Sequence, residues 1–251
     1  GQFMRKNVAI AGCLITSAFV VGIGLIGYGW MEWKRNSNNM EIGEPDNSIH
    51  VDYDLGGYSD SGTSNLLKHY LDSAAGDHVI ARMYIPDTSM ETPIVDSDYY
   101  FRRNIEGKYD TAGVPLVLTT DHFLKPGHNA IIYGHRLDTG EDFGMLREYL
   151  DQTFYDQHPD IMLETTAGTT SWHIISVFAL NYQTDAFDYT QCEDLTDAGN
   201  RNCFLSQIKS HNMITVGDYT SSEDDEYITL STCHYETHPD NGRLVVVAVR
   251  K

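Results

Sequence analysis

Cys233 ends a strand-like run, Tyr227-Ile228-Thr229-Leu230-Ser231-Thr232-Cys233, and Arg243 opens a second, Leu244-Val245-Val246-Val247-Ala248-Val249. If the two runs pair as antiparallel neighbours joined by the loop from His234 to Gly242, the guanidinium lies beside the thiol. A permanently charged donor fork next to a cysteine favours the thiolate and can hold a developing oxyanion. Such a nucleophile needs an acid–base partner, and histidine, with a pKa near ~6.5, both accepts and donates a proton close to neutral pH. Of the 11 histidines, His135 stands out. Ala130-Ile131-Ile132-Tyr133 reads as a buried strand, Gly134 breaks it, and His135 projects from the strand end, where catalytic groups tend to sit. Spacing alone leaves His135 open to an ordinary structural role. Arg243 taken alone would be a surface ion-pair residue; its place opposite the cysteine is what raises it.

His234 and His238 compete for attention. With Cys233 they could be read as a zinc cluster, two histidines one helical turn apart. Pro239 opposes a helix there, no Cys-x-x-Cys is present, and no fourth ligand is near. The plainer reading is an exposed loop between strands. The acidic loops lack an Asp-x-Asp-x-Asp-Gly segment with a closing glutamate, so no calcium site, metal or other cofactor is expected.

The elements that must carry these residues are mostly short strands. Branched and alternating runs predict strands over His78 to Ile85, Pro115 to Thr119, Asn129 to Tyr133, Asp160 to Thr165, Ser171 to Leu180, Tyr227 to Thr232 and Arg243 to Val249. Helical patterns interrupt them at Asn65 to Leu71, Phe143 to Leu150 and Asn202 to His211. Many short strands with few helices predict a closed or nearly closed β-barrel, which also protects sheet edges. No internal repeat is visible.

Composition bounds the rest. The 251 residues can hold one sizeable domain with appendages, and a hydrophobic fraction of 41% with 16 tyrosines suits a globular chain. After Arg35, 13 basic residues face 35 acidic ones. That surface argues against nucleic acid as a partner. Val8 to Trp30 is a run of about 23 residues with no charged side chain, long enough for a bilayer that needs about 20. Arg5 and Lys6 precede it, and Trp30, Trp33, Lys34 and Arg35 close it as interface anchors. The run is longer than a signal-peptide core and no Ala-x-Ala site follows, which favours an uncleaved anchor. Gly1-Gln2-Phe3 ahead of Met4 reads as a cloning scar. The expected organisation is therefore 1–7 scar and short cytoplasmic tail, 8–30 transmembrane anchor, 31–64 linker and 65–251 catalytic domain. Cys192 and Cys203 could form a disulfide if the domain faces an oxidising space, although two cysteines close in sequence are not a framework.

Three segments carry a family resemblance. Thr229-Leu230-Ser231-Thr232-Cys233 is similar to the Thr-Leu-x-Thr-Cys signature of sortases, Arg243 to Ala248 resembles the strand bearing the family's arginine, and Asn129 to His135 looks like its histidine segment. Thr92-Pro93-Ile94-Val95 with Asp98-Tyr99-Tyr100, then Phe143-Gly144-Met145-Leu146 with Tyr149, Phe154-Tyr155 and His158, resembles class B in particular. So does an insertion from about Asp185 to Asp218, ahead of the cysteine strand. The resemblance implies a mostly β protein: a closed barrel of about eight strands with an N-terminal helix and a helix-bearing insertion. It makes Cys233 the nucleophile, His135 the acid and base, and Arg243 the oxyanion or substrate-orienting group, with Tyr133, Ser231 and Tyr189 lining the groove. The family's activity is transpeptidation in Gram-positive bacteria. A sorting signal is cleaved after threonine, the acyl group waits as a thioester on Cys233, and an amine of a peptidoglycan precursor or a pilin lysine attacks it. This places the catalytic domain outside a single-pass membrane anchor. His234 departs from an expected acidic residue after the cysteine.

Two other readings stay open on the sequence: a cysteine peptidase that hands the acyl group to water, and a surface binding module that kept a barrel without activity. For a peptidase, no clear Asn or Asp presents itself to orient the histidine. The sequence leaves undecided the sorting signal, cell-wall anchoring against pilus polymerisation, the amine acceptor and the oligomeric state.

Overall fold

The computed structural model describes residues 63–140 and 142–251. The apolar run 8–30 and the expected linker up to residue 62 lie outside the described residues. Helix α1 (Asn65–Leu71) starts where the Ser64 hydroxyl accepts from the Leu67 amide at 3.1 Å, an N-cap that satisfies one of the orphan donors of the first turn. Ser64 is itself held by Glu164, whose carboxylate takes its amide at 2.6 Å and its hydroxyl at 2.7 Å.

Eight strands follow: β1 (Val79–Tyr84), β2 (Glu91–Val95), β3 (Leu116–Val117), β4 (Asn129–Tyr133), β5 (Asp160–Thr165), β6 (Gly168–Asn181), β7 (Tyr227–Cys233) and β8 (Gly242–Arg250). They close into a barrel in the order β1-β2-β3-β4-β7-β8-β6-β5. The β2/β3 and β4/β7 pairs are parallel and the others antiparallel. Helix α2 (Gln152–Gln157) precedes β5, and α3 (Ala198–His211) lies in the segment between β6 and β7.

Alternation along the strands sorts the side chains into two faces. Ile228 and Leu230 of β7, Leu244, Val246 and Ala248 of β8, and Ala130 and Ile132 of β4 point into the barrel, where they pack with Met83, Ile94, Trp172 and Ile174. The intervening Tyr227, Val245, Val247, Val249 and Ile131 point outward and would be wet on a bare barrel. They are covered by Phe187, Tyr189, Leu195, Phe204 and Ile208 of the β6–β7 insertion. Burial on both faces is why these strands read as continuous apolar runs rather than alternating ones. The insertion is pinned to β6 beside a bulge between Ile174 and Ser176. There Ser176 Oγ donates to the Ile208 carbonyl at 2.8 Å, and the Val177 amide donates to Asn212 Oδ1 at 2.9 Å.

Strand β2 is absent from the sequence-based strands because Pro93 sits in its middle, and proline usually argues against an interior strand. The pairing explains the tolerance. Val95 donates to the Pro115 carbonyl on the β3 side, so the nitrogen of Pro93, two residues earlier, points to the same side before β3 has begun. No ladder bond is lost. The expected helix over Phe143 to Leu150 is a 3₁₀ segment, Asp142–Leu150, continued by α2. The Cys192–Cys203 disulfide does not form: Cys192 is a free thiol beside the Asp188 carbonyl, and burial pushes its pKa up to about 12.

A buried polar chain crosses the β4/β7 seam. Thr229 Oγ1 donates to Asn129 Oδ1 at 2.9 Å, and Asn129 Nδ2 donates to the Cys192 carbonyl of the insertion at 2.9 Å. Thr229→Val keeps the shape and removes the donor, leaving a fully buried amide oxygen short of a partner. The expected cost is about 1–3 kcal/mol, read as a lower denaturant midpoint with unchanged secondary structure. A midpoint equal to the parent's would show that this bond contributes nothing.

Candidate active site

Cys233 and Arg243 are register partners on β7 and β8. Both follow the parity of the outward residues, Cys233 continuing Tyr227, Thr229 and Ser231, and Arg243 preceding Val245 and Val247. On the other side of β7, Tyr133 pairs with Ser231, and the Gly134 amide donates to the Ser231 carbonyl at 3.1 Å. Thr232 Oγ1 returns a bond to the Gly134 carbonyl at 2.9 Å. These bonds carry β4 alongside β7 to the point where His135 and Cys233 emerge from adjacent strand ends. The structure therefore brings Tyr133, Ser231, Cys233, Arg243 and the backbone of His135 to one outer corner of the barrel.

Two glycines make that corner possible. A Cβ on Gly134 would stand 2.4 Å from the Phe143 ring, and one on Gly242 would stand 2.0 Å from the His234 carbonyl oxygen. Only glycine permits the ring and the loop to come so close to the strand ends.

His135 is oriented by the β2–β3 connection. Its Nε2 bonds to the Phe101 carbonyl at 2.8 Å, and its ring lies 4.1 Å, centroid to centroid, from the Phe101 ring. A carbonyl only accepts, so Nε2 carries the proton and Nδ1 keeps its lone pair. Burial, reinforced by the charge of Arg102, lowers the imidazole pKa to about 4, against the opposing pull of the Phe101 carbonyl. The imidazolium is therefore not the resting form of this ring. At neutral pH His135 is an uncharged ring with a free acceptor. The Phe101 carbonyl fills the orienting role for which the sequence offered no Asn or Asp.

Arg243 stacks its guanidinium 4.6 Å over the Tyr182 ring, and its Nη1 donates to the Gly242 carbonyl at 2.8 Å. Tyr189 reaches in from the insertion, its hydroxyl 2.6 Å from Ser231 Oγ. Both are almost fully buried and satisfy each other, whereas Tyr133 is half-buried. Burial is the main cause that raises the Tyr189 pKa, with Arg243 and Cys233 close enough to bias it in opposite directions.

The β7–β8 loop is exposed at Tyr235, Glu236, Thr237, Pro239 and Asp240, as an exposed loop between strands requires, but its two histidines are withdrawn from solvent. His234 is buried, its Nδ1 bonded to Thr237 Oγ1 at 2.7 Å, while His238 Nδ1 accepts from the Asp240 and Asn241 amides. Both rings serve the turn. Arg136, Phe101, Arg102, Tyr182 and Tyr235, which border the corner, were not singled out from the sequence. Phe101 follows directly on the Asp98-Tyr99-Tyr100 segment, and Arg136 follows His135, but no spacing rule marks them.

The sortase-domain family model matches residues 83–251. Sortase B of Listeria monocytogenes is 29% identical over 242 residues, covering 90% of this chain and 92% of the relative. The crystal structure of Staphylococcus aureus sortase B superposes with a TM-score of 0.63 at 22% identity over 73% of this chain and 86% of that one. The structure of Listeria monocytogenes sortase B gives 0.58 at 27% identity over 74% and 99%. The chain belongs to the sortase family of cysteine transpeptidases, and its relatives are class B.

The low imidazole pKa is directly measurable. Titration of the His135 ring by NMR is expected to place its midpoint near 4, well below the usual ~6.5. Arg102→Gln removes a cation that disfavours the imidazolium, so the midpoint should rise by a few tenths to about one unit. A midpoint at or above the ordinary histidine value would contradict the assignment of burial as the dominant cause.

Proposed function

We propose that this protein is a membrane-anchored class B sortase that cleaves a C-terminal sorting signal after threonine and transfers the acyl group to an amine of a peptidoglycan precursor, attaching surface proteins to the cell wall. In this reading Cys233 is the nucleophile, His135 the acid and base, and Arg243 the group that orients the scissile carbonyl and holds its negative oxygen. The observation that carries it is the pairing of Cys233 with Arg243 on one outward face, with His135 leaving the neighbouring strand end alongside. The apolar run 8–30 is the proposed single-pass anchor, with the domain on the extracellular side.

The steps balance as follows. The Cys233 proton passes to Nδ1 of His135 as sulfur adds to the carbonyl carbon. The C–N bond then breaks, with the imidazolium returning the proton to the departing amine and a thioester remaining. An incoming amine adds to the thioester carbonyl, gives its proton to His135, and the C–S bond breaks to release the thiolate. Tyr133, Ser231 and Tyr189 form the wall beside this centre, and peptide lying along β4 and β7 would run over them. Among relatives, Staphylococcus aureus sortase B has been solved as a substrate complex, and a sortase B has been solved with triglycine. Those complexes support a peptide substrate and an amine acceptor here.

Cys233→Ala should abolish transfer while leaving the melting transition in place, because the residue is only half-buried. Arg243→Ala should lower turnover by about 10²-fold or more, the scale of a lost oxyanion donor. Mass spectrometry of products from a library of sorting peptides, run with triglycine, with a lysine amine and with no amine, is expected to show amide products whenever an acceptor is present. Hydrolysis unaffected by acceptor would identify a peptidase. Transfer by the alanine variant at the parent rate would remove Cys233 from the mechanism.

A further inference from the structure

Arg243 pairs with Cys233 across the β7/β8 ladder and with Leu180 across the β6/β8 ladder. Pairing on the second side runs past the end of β6, because the Tyr182 amide donates to the Asn241 carbonyl at 3.1 Å. Tyr182 therefore stands opposite Asn241, and its side chain shares a face with Leu180 and Arg243. A residue two steps off the directly paired position is a diagonal neighbour, within reach of an aromatic or long side chain. Here the two meet: the Arg243 guanidinium carbon lies 4.6 Å over the Tyr182 ring.

Tyr182 is 38% exposed, and its hydroxyl has no hydrogen-bond partner among the described residues. The turn that carries it is closed by other groups. Asp185 Oδ2 accepts from the Asn181 amide at 2.7 Å, Asn181 Oδ1 accepts from the Gln183 amide at 3.1 Å, and the Asn181 carbonyl accepts from the Thr184 and Asp185 amides. Gln183 Oε1 in turn accepts from Asn241 Nδ2 at 2.9 Å, which ties the turn to the end of the β7–β8 loop. The ring is thus placed by its backbone and does not hold that backbone.

Arg243 presents the complementary picture. A guanidinium carries five N–H donors, and Nη1 donates to the Gly242 carbonyl at 2.8 Å. Among the described residues no carboxylate lies within ion-pairing distance of Arg243. A carboxylate would fix the group but neutralise its charge and occupy two donors. A ring face fixes its plane by attraction to the cation and occupies none. Stacking therefore restrains the guanidinium while leaving its remaining N–H groups and its full charge to an oxyanion.

We propose that Tyr182 is a positioning residue for the transfer reaction: its ring holds the Arg243 guanidinium in the plane from which the unused N–H groups reach the scissile carbonyl oxygen. The inference rests on Arg243 acting at that oxygen. Tyr182 itself touches no reacting atom and moves no proton. Its contribution falls on the tetrahedral state, where the oxygen carries charge, more than on bound substrate, whose carbonyl is neutral.

The test is steady-state kinetics of peptide transfer to triglycine in Tyr182 variants, paired with an NMR measurement that needs no turnover. Tyr182→Leu removes the π face at a partly exposed position, so the melting transition should stay in place. It is expected to lower kcat and kcat/KM together by about two- to fivefold, the scale of an exposed cation–π contact, with KM little changed. Tyr182→Phe keeps the ring face and should recover most of the loss. In an Arg243→Ala background, Tyr182→Leu should have no further effect, because the residue it acts through is gone. By NMR, the Arg243 Nε–H proton, assigned by its absence from Arg243→Lys, should sit upfield in the parent and in Tyr182→Phe through the ring current, and move downfield in Tyr182→Leu. Parent-like kcat in Tyr182→Leu, equal losses in Tyr182→Phe and Tyr182→Leu, or the same fold loss in the Arg243→Ala background would overturn the proposal, as would an Nε–H resonance that Tyr182→Leu leaves unmoved. If the parent protein cleaves no peptide, the transpeptidase reading fails, and the proposal is judged on the Nε–H resonance alone.

Discussion

A two-residue period governs the open end of the barrel. On β7 and β8 every second side chain belongs to the core, and Ile228, Leu230, Leu244, Val246 and Ala248 fill it without exposure. That packing fixes the register, and the register fixes the parity of Cys233 and Arg243. A slip of one residue would drive a thiol and a guanidinium inward and turn Ile228, Leu230, Leu244, Val246 and Ala248 outward, a change the core could not accommodate. The placement of Cys233 beside Arg243 thus depends on the packing of core residues on the opposite face of each strand. The closed barrel adds a second constraint, because with both neighbours of β7 paired the strand cannot twist its end away from β4.

The insertion between β6 and β7 converts this geometry into a site of defined polarity. Its apolar residues dry the outer face as far as Tyr189, where the covering ends in a hydroxyl paired with Ser231. Beyond that point the outward positions are Cys233 and Arg243, partly open to solvent. The transition from dry wall to half-open corner happens between Ser231 and Cys233, two residues apart along β7. Partial burial acts on His135 in the same way: the ring is withdrawn far enough to lose its proton at neutral pH, while the Phe101 carbonyl keeps it from turning. Under the proposed mechanism, a neutral imidazole with Nδ1 free is ready to accept a proton but not to donate one. Protonation must then accompany attack rather than precede it.

Much of this was legible in the chain. The apolar runs of β4, β7 and β8 announce strands through branched residues and lengths of five to nine, and the Cys233–Arg243 pairing follows from a hairpin reading alone. Pro93 concealed β2, because the tolerance for proline depends on where β3 begins, which is a matter of pairing rather than of local pattern. The half-buried thiol Cys192 resembled a disulfide partner on spacing, yet its neighbour in space is the Asp188 carbonyl. The rest of the site was hidden for a common reason. Phe101, Arg102 and Arg136 meet His135 or the β7–β8 loop through loop closures, and Glu236 lies 100 positions from Arg136. No periodicity encodes a contact between two irregular segments.

That separation has an energetic side. The β4–β7 ladder and the β7–β8 hairpin are each stabilised by their own backbone bonds and core side chains, so His135, Cys233 and Arg243 are each positioned locally to within the stiffness of their own strand ends. The distance between the two loops is another matter, since neither ladder extends past Tyr133 or Cys233. Geometry at a reacting centre must hold within a fraction of an ångström, and two independently anchored loops do not guarantee that. A planar fork such as Arg136 on Glu236 is suited to the task because its two parallel bonds resist rotation as well as separation. A single-point ammonium contact would resist only separation. The barrel brings Cys233 and the backbone of His135 to one corner, and the Arg136–Glu236 contact ties together the two loops that leave them.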